Sequence, residues 1–326
     1  MPMAPPTATW LLAAAACVPR YSHLPALEPA ALRTPGALQT TTLDGVDVAW
    51  IDTGPPVDDR GQPPLVLIHG LSSHMGYWEY QVPVLARTHR VLAVDLPGYG
   101  ASGRPDAPYT PPWYADLLAD WMETVGLSRA ILVGHSMGGQ ISLTLALRHP
   151  DKVDRLVLAA PAGLETFAPG PARWMKDHWH EGRAMEARED ELRATFSTLV
   201  FNRMDEGAEA LLAERVRMGR HPSFRGTSVA VARSVAGMLD HPVYARLGEI
   251  AVPTLIVFGT DDRMIPNPAF TGGSTRAIAQ RGQRAIRGAE LVMLDGAGHT
   301  VMHDDPEGFN GAVLDFLRRS PSEVTP

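Results

Sequence analysis

Ser136 sits in Gly134-His135-Ser136-Met137-Gly138, between an apolar run (Ala130-Ile131-Leu132-Val133) and a helix-like segment that starts at Gly139. A serine flanked by glycines at a strand-to-helix turn has the form of a nucleophile elbow. The turn is so tight that the serine takes strained backbone angles, and the glycines leave room for strand and helix to approach. Its hydroxyl is then raised out of the sheet, and the N–H of Met137 points where an oxyanion would develop. A lone serine is a weak nucleophile near neutral pH. It needs a base to take its proton and a third group to orient that base.

Both partners should lie on loops after later strands at the same sheet edge, in the order serine, acid, histidine. Leu291 to Leu294 is a strand pattern followed by Asp295-Gly296-Ala297-Gly298-His299, which makes His299 the candidate base, with His303 as its competitor. For the acid, Phe258-Gly259-Thr260-Asp261-Asp262 follows another strand pattern, and spacing from Gly259 and to Pro266 favours Asp262 over Asp261. Asp95 precedes the serine, and its expected place is the Pro97-Gly98-Tyr99-Gly100 turn. His69 and His135 flank strand ends, where turn-supporting hydrogen bonds are their expected role. A second oxyanion donor is expected from the N–H of Leu71 in Ile68-His69-Gly70-Leu71-Ser72; Ser72 and His74 could border the pocket.

The elements that must position these groups follow from periodicity. Gln39 to Leu43 and Val46 to Ile51, about Asp44-Gly45, predict a β-hairpin. Short, continuously apolar runs at Leu65–Ile68, Val91–Val94, Ile131–Val133, Leu156–Ala160, Thr254–Phe258 and Leu291–Leu294 predict parallel strands buried on both faces. Helical patterns at Tyr114–Val125 and Asp305–Arg318 alternate with them, so the fold class is α/β with helices on both sheet faces. From Glu165 to Leu247 the rhythm changes to helical patterns alone, holding Phe167, Trp174, Trp179, Phe196 and Phe201. This stretch reads as a helical lid whose aromatics either line an apolar pocket or pack lid to core.

The division expected is therefore a signal-like segment and Pro/Ala-rich linker over 1–38, a core built from 39–164 and 248–320, and a cap over 165–247. The chain has 326 residues and a formal net charge of −7. With no basic stripe to neutralise phosphates, nucleic acid is not an expected partner. Cys17 is the single cysteine, so no internal disulfide and no cysteine-based metal site is expected. It ends the run Trp10-Leu11-Leu12-Ala13-Ala14-Ala15-Ala16, which resembles a bacterial lipoprotein signal. However, no Lys or Arg precedes the run, and Ala14 stands where Leu is usual. A membrane contact is expected only if Cys17 is lipidated; an unstructured tail is the alternative, and cell envelope and cytoplasm both stay open.

Taken together, His69-Gly70, Asp95 to Ser102, Gly134 to Gly139, Gly259 to Pro266 and Gly298-His299 resemble the α/β-hydrolase superfamily, in family order, from Leu65 to about Arg318. The resemblance implies an eight-stranded, mostly parallel sheet, a cap after the sixth strand, a Ser136–His299–Asp262 triad, and neither cofactor nor metal. A serine nucleophile rather than an aspartate speaks against dehalogenase or epoxide-hydrolase chemistry. Leu192-Arg193 through Phe201-Asn202 and Leu247 to Thr254 look like the branch that holds carboxylesterases and the carbon–carbon hydrolases of aromatic ring cleavage. The carbon–carbon hydrolases usually carry a glycine-rich oxyanion loop, an Asn near the nucleophile and a Trp after the histidine; this chain has Leu71-Ser72-Ser73, His135 and Thr300. The expected activity is a serine carboxylesterase acting on a small-molecule ester. Hydrolysis of a carbon–carbon bond in a vinylogous diketone acid is the alternative. A non-enzymatic binding protein is the competing class, against which every triad position is filled.

Overall fold

The computed structural model describes residues 21–59, 61–267 and 269–319. The apolar run ending at Cys17 lies outside the described residues, and so does the lipidation reading that rests on it. Eight strands form one sheet: β1 (Leu38–Leu43), β2 (Val46–Asp52), β3 (Leu65–Ile68), β4 (Val91–Asp95), β5 (Ala130–His135), β6 (Val153–Ala159), β7 (Thr254–Gly259) and β8 (Glu290–Leu294). Their order is β1-β2-β4-β3-β5-β6-β7-β8. The β1–β2 and β2–β4 pairings are antiparallel, and every pairing from β4 onward is parallel. Asp44 (φ 48°) and Gly45 (φ 81°) make the two-residue turn between β1 and β2, with both angles positive as a primed hairpin turn requires.

Side chains alternate across the sheet and so serve two cores. Val66 and Ile68 of β3 join Leu132 of β5 in one apolar cluster, while Leu65 and Leu67 join Ile131 and Val133 in the other. The first is covered by helices Pro111–Thr124, Met137–Arg148 and Thr275–Ala285, which contribute Leu118, Trp121, Ile141 and Ile278. The second is covered by helix Pro306–Arg318 through Phe309, Val313 and Phe316. The helix expected from Tyr114 begins instead at Pro111. Thr110 caps it by accepting the Trp113 N–H, and prolines are tolerated in a first turn whose N–H groups have no intrahelical partner.

Between β6 and β7 the described chain is helical, with longer helices at Pro169–His178, Glu206–Met218 and Phe224–Asp240. Gln140, on the helix after the elbow, donates to the Met238 and His241 carbonyls and ties this layer to the core. Phe196 and Phe201 are buried, and Phe201 stacks on Tyr77 of the core at 6.1 Å, whereas Trp174 is 54% exposed. Residues 21–38 are not a free linker. Leu27 and Leu32, on either side of a short 3-10 turn at Pro29–Ala31, are buried against Ala184, Met218 and Phe224 of the helical layer.

Candidate active site

The elbow is as tight as its glycines require. Ser136 has φ 51° and ψ −115°, a strained conformation for a residue with a side chain. A Cβ on Gly138 would lie 2.3 Å from the Ile68 carbonyl oxygen, and one on Gly134 would lie 2.4 Å from that of Gly138. Ser136 is pinned through its backbone: its N–H donates to Ala159, and its carbonyl accepts from Ala162 and Gly139. The strain is thus held by bonds from the neighbouring strand and from its own helix.

Ser136, His299 and Asp262 come together. His299 Nε2 is 3.0 Å from Ser136 Oγ, and its Nδ1 is 2.9 Å from Asp262 Oδ2. A carboxylate can only accept, so Nδ1 carries the proton and Nε2 is left as the acceptor facing the serine. The other carboxylate oxygen of Asp262 accepts the N–H groups of Met264 and Ile265. Asp262 and His299 are both buried. Asp261 faces away from the histidine; its carboxylate is 3.4 Å from Asn202 of the helical layer and 3.3 Å from Thr260. His303 takes no part in this chain of bonds: it packs on Tyr80 and lies 3.4 Å from Glu79.

The remaining candidates hold the scaffold. His69 donates from Nδ1 to the Gly70 carbonyl and accepts the Leu96 N–H at Nε2. Its pKa is pushed down to about 3, chiefly by burial, so it stays neutral. His135 donates to the His299 carbonyl at 3.1 Å. Burial, and after it the neighbouring His299, hold the His135 pKa well below 6.5, so it does not compete as a base. Asp95 accepts the N–H groups of Met75 and Ala101 and fastens the loop after β3 to the turn after β4.

Gly70 brings the loop after β3 against the nucleophile: a Cβ there would be 3.2 Å from that of Ser136. Among the described residues neither the Leu71 N–H nor the Met137 N–H has a protein acceptor. Three further contributors belong to no motif and were not expected. Asp304 accepts the N–H groups of Gly298 and Asn202, and Thr300 donates twice to the Val200 carbonyl, so the histidine loop is bonded to the helical layer. Glu165 accepts the Asn267 N–H and braces the acid loop; burial raises its pKa. A carboxylate five residues past the histidine carries no local signal of this role.

This sheet order, elbow and site geometry define an α/β hydrolase. The family model for the α/β hydrolase fold matches residues 63–306, and the chain belongs to that family. Among curated relatives, it is 32% identical over 263 residues to a 2-hydroxymuconate semialdehyde hydrolase of Pseudomonas sp. (strain CF600), covering 78% of this chain and 86% of that one. It is 27% identical over 300 residues to a 1-acylglycerol-3-phosphate O-acyltransferase of Arabidopsis thaliana, covering 81% and 68%. Among solved structures, a probable hydrolytic enzyme from Pseudomonas aeruginosa PAO1 superposes with a TM-score of 0.80 at 26% identity, covering 90% of this chain and 99% of that one.

Proposed function

We propose that this protein is a serine hydrolase that cleaves carboxylic esters through an acyl-enzyme intermediate. The observation that carries the reading is the continuous set of contacts from Ser136 Oγ through the His299 ring to Asp262, at 3.0 and 2.9 Å. His299 takes the Ser136 proton as the oxygen attacks the ester carbonyl, and Asp262 stabilises the imidazolium that results. The N–H groups of Met137 and Leu71 receive the oxyanion; such donors each lower the barrier by about 3 to 4 kcal/mol. His299 returns its proton to the departing alcohol. Water then enters by the same route, loses a proton to His299 and releases the acid.

A second reading is kept by one residue. Arg215 is half-buried in the helical layer and pairs with no carboxylate among the described residues; its guanidinium donates to the Ala184 carbonyl and lies 4.4 Å from the Phe224 ring centroid. Burial lowers its pKa to about 10. It lines a small cavity with Ser72 and Ser73 of the loop beside the nucleophile. A cation left without a carboxylate there suits a substrate bearing its own, as the acids of the carbon–carbon hydrolases do. Initial rates of wild type and Ser136→Ala on p-nitrophenyl esters, beside one ring-cleavage diketone acid, decide between the two. Ser136-dependent turnover of the esters supports the first reading; preference for the diketone acid replaces it with the second.

A further inference from the structure

The loop that carries His299 is held from two sides. On the core side, Thr260 accepts the Gly296 N–H, Asp261 donates its N–H to the Ala297 carbonyl, and His135 donates to the His299 carbonyl. On the other side its partners come from one short stretch of the helical layer, 200–202. The Asn202 side chain donates to the Gly296 carbonyl. The Asn202 N–H goes to Asp304, whose Oδ2 also accepts the Gly298 N–H at 2.8 Å. Thr300 donates its N–H and its hydroxyl to the Val200 carbonyl, at 3.0 and 2.8 Å. These bonds fall on residues 296, 298 and 300, on both sides of His299. The stretch that supplies them is itself fixed, since Phe201 is buried with its ring 6.1 Å from that of Tyr77 and 5.1 Å from that of His303. Val200 ends a helical turn, so its carbonyl has no donor further along the helix, and Thr300 supplies one. Gly298 allows the close approach: a Cβ there would stand 2.9 Å from Asp304 Oδ2 and 3.1 Å from the Asn202 nitrogen.

We infer that Asn202, Asp304 and Thr300 are positioning residues for the base: they hold the His299 ring in line with Ser136, so the helical layer helps to assemble the triad. The inference rests on the serine-hydrolase reading above. A catalytic group must be held to within about 0.5 Å of its productive place, and a misplacement of about 1 Å can cost about 100-fold in rate. Asp304 is the most sensitive of the three, because its two oxygens serve N–H groups from both layers. An amide in its place keeps one acceptor oxygen and turns an NH2 group toward the other donor. Valine at 300 removes the hydroxyl bond and leaves the backbone bond to Val200 intact.

The test is kcat and KM for p-nitrophenyl acetate with wild type, Ser136→Ala, Asp304→Asn, Thr300→Val and Arg233→Met. Melting temperatures and the downfield proton NMR signal of the His299 Nδ1–H are measured alongside. Arg233 is the comparison because it joins the same helical layer to the core elsewhere, at Asp106 and Ala107. In Asp304→Asn kcat should fall at least about tenfold, and in Thr300→Val at least about threefold, with KM within about twofold of wild type. The His299 signal should shift or broaden in both. Arg233→Met should keep the wild-type kcat and the wild-type signal even if it melts lower. An unchanged kcat in both Asp304→Asn and Thr300→Val, in an enzyme that does turn over esters, overturns the inference. An equal loss in Arg233→Met overturns it too, because any loosening of the layer would then suffice. No Ser136-dependent ester turnover by wild type removes the hydrolase reading itself, and the inference falls with it.

Discussion

The sheet core and the helical layer above it are held together by different means. In the core, the site residues are fixed by backbone bonds and close packing: β3, β4, β5 and β7 are buried throughout, and the elbow leaves no space for a methyl group at Gly138. In the layer above, the helix Pro169–His178 has no buried residue, and the joints are side-chain bonds such as Gln140 to Met238 and Asp304 to Asn202. The proposed nucleophile and base therefore sit in the region held by backbone bonds and close packing, beneath a layer joined to it largely through side chains. The histidine loop belongs to both, since Thr300 and Asp304 bond it to the upper layer.

The largest effect should come from the core. Asp262→Asn should lower kcat about 10⁴-fold, because the wrong imidazole tautomer is then favoured. Asp261→Asn, one residue away, should leave initial rates within about threefold, since its carboxylate touches the upper layer and not the histidine. Next, Gly138→Ala should destabilise the fold by about 3 kcal/mol, measured by urea unfolding, because the added methyl would meet the Ile68 carbonyl. Trp174→Ala in the upper layer should stay within about 0.5 kcal/mol. Equal losses at these two positions would erase the contrast between the layers.

A smaller effect should appear at the junction between them. Burial alone would raise the pKa of Glu214, but His74 and Arg33 beside it outweigh burial and hold it below its ordinary 4.5. Glu79 is likewise held below 4.5 by His303 and Arg33 against burial. A carboxylate with a lowered folded-state pKa adds stability above its unfolded value, and that stability is lost as pH falls through the folded one. The melting temperature of wild type should therefore decline more steeply below pH 4.5 than that of Glu79→Gln/Glu214→Gln. Parallel acid limbs in the two proteins would mean that the junction carries no such charge dependence.

The same contrast governs what could be read from residues alone. Strands buried on both faces are continuously apolar, and their ends carry the glycines that strand-end chemistry needs, so the order of the core and the meeting of Ser136, Asp262 and His299 were legible. The upper layer offered only a helical period without strand runs. Which of its aromatics would be buried depends on tertiary neighbours: Phe201 meets Tyr77, whereas Trp174 stacks on His178 and meets Phe270 near the surface. Pro and Ala between 18 and 38 suggested a linker, yet residues 21–38 gain their order from contacts with Glu189, Glu209 and Glu214, more than 150 residues later in the chain. Long-range pairing of this kind has no local signature.

The most direct test of the central claim is rapid acid quench of the protein turning over p-nitrophenyl acetate, followed by peptide mass analysis. A covalent mechanism predicts one acetyl group on the peptide that holds Ser136, formed in wild type and absent in Ser136→Ala. Turnover with no acylated Ser136, or acylation that survives in Ser136→Ala, would contradict it.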